Sequence, residues 1–345
     1  MLKIQMSELP AMLEFLAQTN SLYLPVKKNN QTDFALWQAQ ANLDLKTTIT
    51  AKSLKDIFFP QVENLLAFKT TGKTLAIEPQ KLQTEQVIGF GVRACDLQSF
   101  NLLDKVFLSE PIDEFYRARR ENCLLIAVAC TAPEETCFCQ SFAIDPLEPQ
   151  ADVATWLIDE TLYWRAQTSK GELLTNKLAE FLEQVTEAEL TSLTIAKQAV
   201  RDKFCELPLN KINFSQQLAG LDFEQIFESE IWAQLSATCI GCGTCTYICP
   251  TCHCYDIKDA VTKSGIERFR CWDSCMYSDF TNMAHGNPRA SKKERFRQRF
   301  MHKLVYFPDN QKAFACVGCG RCLQKCPACM NIIKVVKALE VGKNV

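Results

Sequence analysis

Two segments of the chain carry four cysteines at one spacing and close on a proline. They are Cys239-Ile-Gly-Cys242-Gly-Thr-Cys245-Thr-Tyr-Ile-Cys249-Pro250 and Cys316-Val-Gly-Cys319-Gly-Arg-Cys322-Leu-Gln-Lys-Cys326-Pro327. The copies agree at every cysteine, at Gly241/Gly318 and Gly243/Gly320, and at both prolines, which marks a duplication. Cysteines three apart on a tight loop present three thiolates to three corners of one iron-sulfur cube, while the fourth, followed by proline, turns away and ligates the other cube. The spacing therefore predicts one 4Fe-4S site at Cys239, Cys242, Cys245 and Cys326 and a second at Cys316, Cys319, Cys322 and Cys249. The glycines let backbone approach each cluster and aim N–H groups at its sulfurs. Zinc also binds Cys-x-x-Cys pairs, but an ion with four ligands has no use for this longer pattern twice.

The chain holds 19 cysteines in 345 residues and shows no route to an oxidising compartment, so metal ligation explains them better than disulfides. Directly after the first motif come Cys252 and Cys254 (CPTCHCYDI), then Cys271 and Cys275 (RCWDSC). These four either hold a further cluster or metal, or line the protein shell around the clusters as small apolar thiols. Their Cys-x-Cys and Cys-x-x-x-Cys spacing is not a standard ligand frame, which favours the shell. Upstream, Cys95 follows a strand and begins a helix, Cys130 ends the next strand, and Cys137 and Cys139 sit on the loop TAPEETCFCQ. Strand ends on one edge of an α/β sheet are neighbours where ligands bind. A third 4Fe-4S cluster is expected at Cys95, Cys130, Cys137 and Cys139; the competing reading is a buried Cys95 and Cys130 beside an incidental CFC. Cys123, Cys205 and Cys329 are read as ordinary thiols.

The elements that must position these ligands divide the chain in three. Six cysteines fall in the first 205 residues and thirteen between Cys239 and Cys329. Residues 1–171 alternate strand-like runs (KTLAIEP, EQVIGFGV, NCLLIAVAC) with helix-like stretches (MSELPAMLEFLAQ, LQSFNLLDKVFL), which predicts an α/β or α+β domain. Residues 172–236 repeat apolar positions at helical spacing in LLTNKLAEFLEQV, ELTSLTIAKQAVRDKF and FEQIFESEIWAQL, and read as connecting helices. Residues 237–345 form the dicluster module, expected to be mainly helical because the stretch from 249 to 316 exceeds what a compact bacterial ferredoxin needs.

With 38 Lys+Arg against 40 Asp+Glu and a net charge of −2, nothing in the overall charge supports a nucleic-acid-binding protein. The basic run NPRASKKERFRQRFMHK (287–303) is local. It reads as a solvated helix face, as positive charge that stabilises reduced anionic clusters, or as a docking surface. Only His253, His285 and His302 are present, too few and scattered for acid–base catalysis; His253 is read as a hydrogen-bonding neighbour of the clusters. Gly89-Phe-Gly91-Val-Arg-Ala94 fits a dinucleotide-binding turn, but Glu110 precedes Pro111 in a helix-to-helix connection instead of ending a second strand. No flavin or nicotinamide site is therefore expected. The longest clean apolar run, CLLIAVAC at 123–130, suits a buried strand and not a membrane span. Glu8 and Pro10 interrupt the N-terminal stretch before a secretory h-region forms, and a cytoplasmic location is expected.

The GVRACD turn, the CFC loop, CIGCGTCTYICPTCHCYDI, RCWDSC, NPR, RQRFMHK and CVGCGRC occur in this order. In these motifs, over about residues 85–330, the chain resembles the family of sulfhydrogenase beta subunits and anaerobic sulfite reductase subunits A. The resemblance implies a non-catalytic electron carrier in a multisubunit anaerobic oxidoreductase complex. Its partners would be a flavin subunit that handles NAD(P)H or ferredoxin and a separate catalytic subunit. It also implies the eight ligands derived above, with the family's N-terminal cysteines falling on Cys95, Cys130, Cys137 and Cys139. Two features depart from the pattern: the second motif ends CPACMNI where CP-x-x-I-D-I is usual, and an extra Cys271 precedes WDSC.

Overall fold

Val87–Val92 and Cys123–Val128 are buried at every position, as expected of central strands covered on both faces. In the computed structural model, which describes residues 1–218, 223–263 and 265–341, they lie at the centre of a mixed sheet. Residues 219–222 of the expected connecting segment and 342–345 of the expected module lie outside the described residues. Strands run in chain order as β1 (Leu2–Gln5), β2 (Ser21–Lys28), β3 (Gln31–Leu36), β4 (Val62–Thr71), β5 (Thr74–Pro79), β6 (Val87–Val92), β7 (Cys123–Val128), β8 (Val153–Ile158), β9 (Thr161–Ala166), β10 (Glu183–Gln184), β11 (Tyr255–Thr262) and β12 (Gly265–Trp272). The large sheet has the order β10-β1-β9-β8-β7-β6-β2-β3. Its β2, β6, β7 and β8 are mutually parallel neighbours.

Helices Ala94–Phe107 and Glu114–Glu121 carry the chain from β6 to β7 and pack Phe100, Phe107 and Tyr116 with Phe58 and Phe59 against one face. Helix Leu9–Ala17 closes the other face, burying Leu9, Met12, Leu13 and Leu16 beside Trp164 and Leu174. The crossover leaves the ends of β6 and β7 side by side, and residues 93–95 and 129–130 with them.

A second sheet, β11-β12-β4-β5, pairs strands from opposite ends of the sequence. Its register sets Ile266 against Phe68 and Cys271 against Val62. The stretch between the cysteine motifs, expected to be helical, thus contains a hairpin of two eight-residue strands. The reason is non-local: β12 completes a sheet with β4, and Trp272 packs on Phe59 with ring centroids 5.7 Å apart. This pairing spans the boundary that cysteine density places between the first and last parts.

The connecting segment is helical over Ser169–Lys177, Glu187–Glu206, Phe214–Leu218, Phe223–Glu228 and Ile231–Ala237. The run LLTNKLAEFLEQV leaves the helix after Lys177, because Glu183 and Gln184 pair with Lys3 and Leu2 as the edge strand β10. Around the second cysteine motif, helices Ile231–Ala237, Lys292–Met301 and Ile332–Val341 bury Trp232, Phe296, Phe300, Val335 and Val336 in a core of their own. Among the described residues no helix is long and apolar enough to cross a membrane.

Candidate functional site

The two cysteine loops share one backbone shape. Gly241 and Gly243 have φ of +70° and +72°, and Gly318 and Gly320 have +61° and +78°. All four occupy the left-handed region that favours glycine. A one-turn helix follows each loop, Thr244–Tyr247 and Arg321–Gln324. The thiols then group across the copies. Cys239, Cys242 and Cys245 line one cavity with Cys326, and Cys316, Cys319 and Cys322 line another with Cys249. This is the crossed grouping that the spacing predicts. Backbone amides point at sulfur as well: Gly241 N–H reaches Cys239 Sγ at 3.5 Å and Met330 N–H reaches Cys326 Sγ at 3.3 Å.

Among the described residues, no three His, Cys, Asp or Glu side chains stand close enough to share a single metal ion. Burial pushes the Cys316 thiol up to about 12 and raises Cys245 and Cys319, since desolvation penalises a thiolate. Cys249 goes the other way. A hydrogen bond from Cys252 and the nearby Lys303 ammonium hold it well below the usual thiol range.

Three buried cations lie beside these sulfurs with no ion-pair partner among the described residues. Lys303 is buried and donates to Thr251 Oγ1 at 2.9 Å, to the Ala315 carbonyl at 2.8 Å and to Cys249 Sγ at 3.4 Å. Lys55 is buried, donates to the carbonyls of Cys249 and Cys252 at 2.9 and 2.8 Å, and lies 3.9 Å from the Trp272 ring centroid. Arg299 is 4% exposed, lines both cavities, and its Nε has no hydrogen-bond partner. An isolated buried charge costs several kcal/mol, so this region fits an anionic occupant. A 4Fe-4S cluster held by four thiolates is one.

The N-terminal cysteines converge too. Cys130, Cys137 and Cys139 form one buried group with Phe204, and Cys95 packs against it. Each comes from the edge the topology offers: Cys95 opens the helix after β6, Cys130 follows β7, and the loop after it carries the other two. This group adjoins the second motif directly. Phe138 N–H donates to the Gly318 carbonyl at 2.9 Å, and a Cβ on Gly318 would fall 2.3 Å from the Phe138 carbonyl oxygen. Arg321, inside the second motif, makes a bidentate pair with Asp96 at 2.6 and 2.8 Å and donates to the Thr50 carbonyl at 2.9 Å and to its hydroxyl at 2.8 Å.

Of the four cysteines after the first motif, Cys252 hydrogen-bonds to Cys249 and Cys254 to Cys275. The Cys275 contact lowers the Cys254 thiol to about 7. Cys271 sits on β12 with Asp256, Lys258 and Asp273 as its charged neighbours, so the structure does not bring it to the other three. Cys123 is buried within β7, whereas Cys205 and Cys329 are exposed. His253 Nδ1–H donates to the Thr251 carbonyl of its own loop, 3.0 Å away, and the ring packs on His302 with centroids 5.5 Å apart.

Gly89 and Gly91 lie inside β6, and there they make room for packing. A Cβ on Gly91, where φ is +87°, would meet Pro25 at 2.7 Å, and one on Gly89 would meet Leu54 at 2.5 Å. Arg93 fills the crevice at the strand ends and binds the carbonyls of Leu45, Thr47, Val128 and Ala129. Nor is the basic run a fully solvated face: Lys292, Arg295 and Arg297 bind backbone carbonyls of neighbouring segments, and Arg299 and Lys303 turn inward. Sequence reasoning missed Asp96–Arg321 and Lys55, whose partners are far away in the chain. It had a signal for Arg299 and Lys303, since both share a helical face with Phe296 and Phe300.

Residues 238–330 match the family model described as a 4Fe-4S dicluster domain. Over 348 aligned residues the chain is 30% identical to sulfhydrogenase 2 subunit beta of Pyrococcus furiosus, an alignment that covers 99% of this chain and 98% of that one.

Proposed function

The chain belongs to the sulfhydrogenase beta-subunit family of iron-sulfur proteins, and from that premise we propose that it relays single electrons through three 4Fe-4S clusters in series. One is held by Cys95, Cys130, Cys137 and Cys139, the middle one by Cys249, Cys316, Cys319 and Cys322, and the last by Cys239, Cys242, Cys245 and Cys326. When bound, such a cluster takes up and gives back one electron; the protein's levers on it are burial, hydrogen bonds and charge. The observation that carries this reading is contact. The loop with Cys137 and Cys139 packs on Gly318 of the second motif, and Arg299 lies against both ferredoxin-type sets. The last set reaches the surface, where Cys242 is exposed and Ile240 is 67% exposed.

The partners are a subunit that oxidises NAD(P)H through flavin, or ferredoxin, and a separate catalytic subunit, in a cytoplasmic complex of an anaerobic cell. The chain itself holds no flavin. Cys252, Cys254 and Cys275 act as a thiol shell behind Cys249, and Cys271 stands apart. The anaerobically purified chain should exchange electrons with viologen dyes, carry no flavin and reduce neither NAD nor sulfite, and its native complex should contain both partner types. Retained flavin, or turnover by the isolated chain, would contradict the reading.

A further inference from the structure

Every other buried arginine near these sites is answered by the protein. Arg93 has four backbone carbonyls, Arg270 has Glu63 and Asp113, and Arg321 has Asp96 and Thr50. Arg299 is not. It is 4% exposed, its Nε, like that of Arg270, lacks a partner, its guanidinium carbon lies 4.5 Å from the Phe300 ring centroid, and among the described residues it makes no ion pair with a carboxylate. It nevertheless stands on a well-founded element. Helix Lys292–Met301 starts with a capping box between Ser291 and Glu294, and Phe296 and Phe300 anchor the face that Arg299 shares. From that face it borders the cavity of Cys239, Cys242, Cys245 and Cys326 and the cavity of Cys249, Cys316, Cys319 and Cys322. Lys303, one turn on, borders only the second.

We propose that Arg299 is a shared counter-charge that sets the reduction potentials of both ferredoxin-type clusters together, whereas Lys303 acts on the Cys249-bound cluster alone. This rests on the cluster reading above. A guanidinium carries its charge at every working pH, and each cluster gains one negative charge on reduction. A fixed cation between the two therefore favours the reduced form of each, and it also screens the repulsion that a first electron would exert on a second. Burial keeps water from substituting for it. Arg299 is a positioning residue in this sense: it acts through the sulfur sites.

The test is an anaerobic redox titration followed by electron paramagnetic resonance on the full chain, for wild type, Arg299→Gln, Arg299→Lys and Lys303→Met, with iron counted in each. Arg299→Gln should lower both ferredoxin-type potentials by at least a tenfold loss in each reduction equilibrium, about 59 mV for a one-electron couple. Arg299→Lys should restore most of it, and Lys303→Met should shift one signal only. Unchanged potentials in Arg299→Gln, or a shift confined to one cluster, would overturn the proposal. If the Gln variant fails to retain iron while the Lys variant retains it, the charge is needed for assembly and the proposal stands. If both lose iron, the role is shape and the proposal falls. Failure of the cluster reading itself would be visible in the wild type, as the absence of two ferredoxin-type signals.

Discussion

Two buried arginines stand beside the same sulfur set and are treated in opposite ways. Arg321, at the strand-end crevice of the large sheet, receives both oxygens of Asp96 and two groups of Thr50. Arg299, among the C-terminal helices, receives nothing from the protein that satisfies its Nε. The first is an internal brace: it ties residue 321 of the second cysteine motif to the helix that begins beside Cys95. The second, on the proposal made above, is half of an interaction whose other half is an anionic cluster. Where a chain supplies its own counter-charge the contact is structural, and where it withholds one it has left room for a charged group.

Cys249→Ser should lose about four iron per chain and, because metal binding supplies folding free energy, should destabilise the C-terminal helices as well. Cys326→Ser should do the same through the other set. Iron analysis with circular dichroism checks both, and full iron in either variant would remove that residue from the ligands.

Asp96→Asn tests the braced side. Leaving Arg321 buried without its carboxylate should cost about 3–5 kcal/mol, and it should do so equally in chelator-treated protein, because no cluster compensates. Denaturant titration of both forms measures this. A loss seen only in the chelator-treated form would mean that in the loaded protein a cluster, and not Asp96 alone, answers Arg321.

The matched glycines sharpen the picture. Nothing lies within 4 Å of a Cβ placed on Gly241, so Gly241→Ala should cost only the left-handed backbone, about 1–2 kcal/mol. Gly318→Ala should cost clearly more, since its Cβ would strike backbone of Phe138 and Cys139 at 2.3–2.6 Å. Equal costs would mean that the two loops do not press together. Smallest of all, Cys205→Ser on the exposed end of its helix should stay within about 0.5 kcal/mol and keep all iron.

The grouping of the eight ferredoxin-type cysteines around two cavities was legible because each loop is local: spacing, glycine and proline carry the instruction, and Cys249 and Cys326 each cross to the other copy's cavity. The convergence of Cys95, Cys130, Cys137 and Cys139 was legible more indirectly, from strand ends sharing one edge. The hairpin of β11 and β12 was not foreseen, and its sequence YDIKDAVT shows no clean apolar alternation. What makes it a strand pair is β4, nearly two hundred residues earlier, and a partner that distant leaves no mark on local spacing. Asp96–Arg321 escaped for the same reason. The three-part division by cysteine density does not coincide with the sheets, since β4 pairs with β12 and Lys55 meets Trp272 across it.

The relay stands or falls on whether the N-terminal thiols hold a cluster beside the middle one. Iron counting with electron paramagnetic resonance on wild type and Cys95→Ser addresses this directly. Wild type should carry about 12 iron per chain in three clusters, with the third signal magnetically coupled to the second. Cys95→Ser should stay soluble, keep about eight iron and lose that signal with its coupling. An identical iron count and spectrum in the two proteins would show that Cys95 is no ligand and would contradict the three-cluster relay.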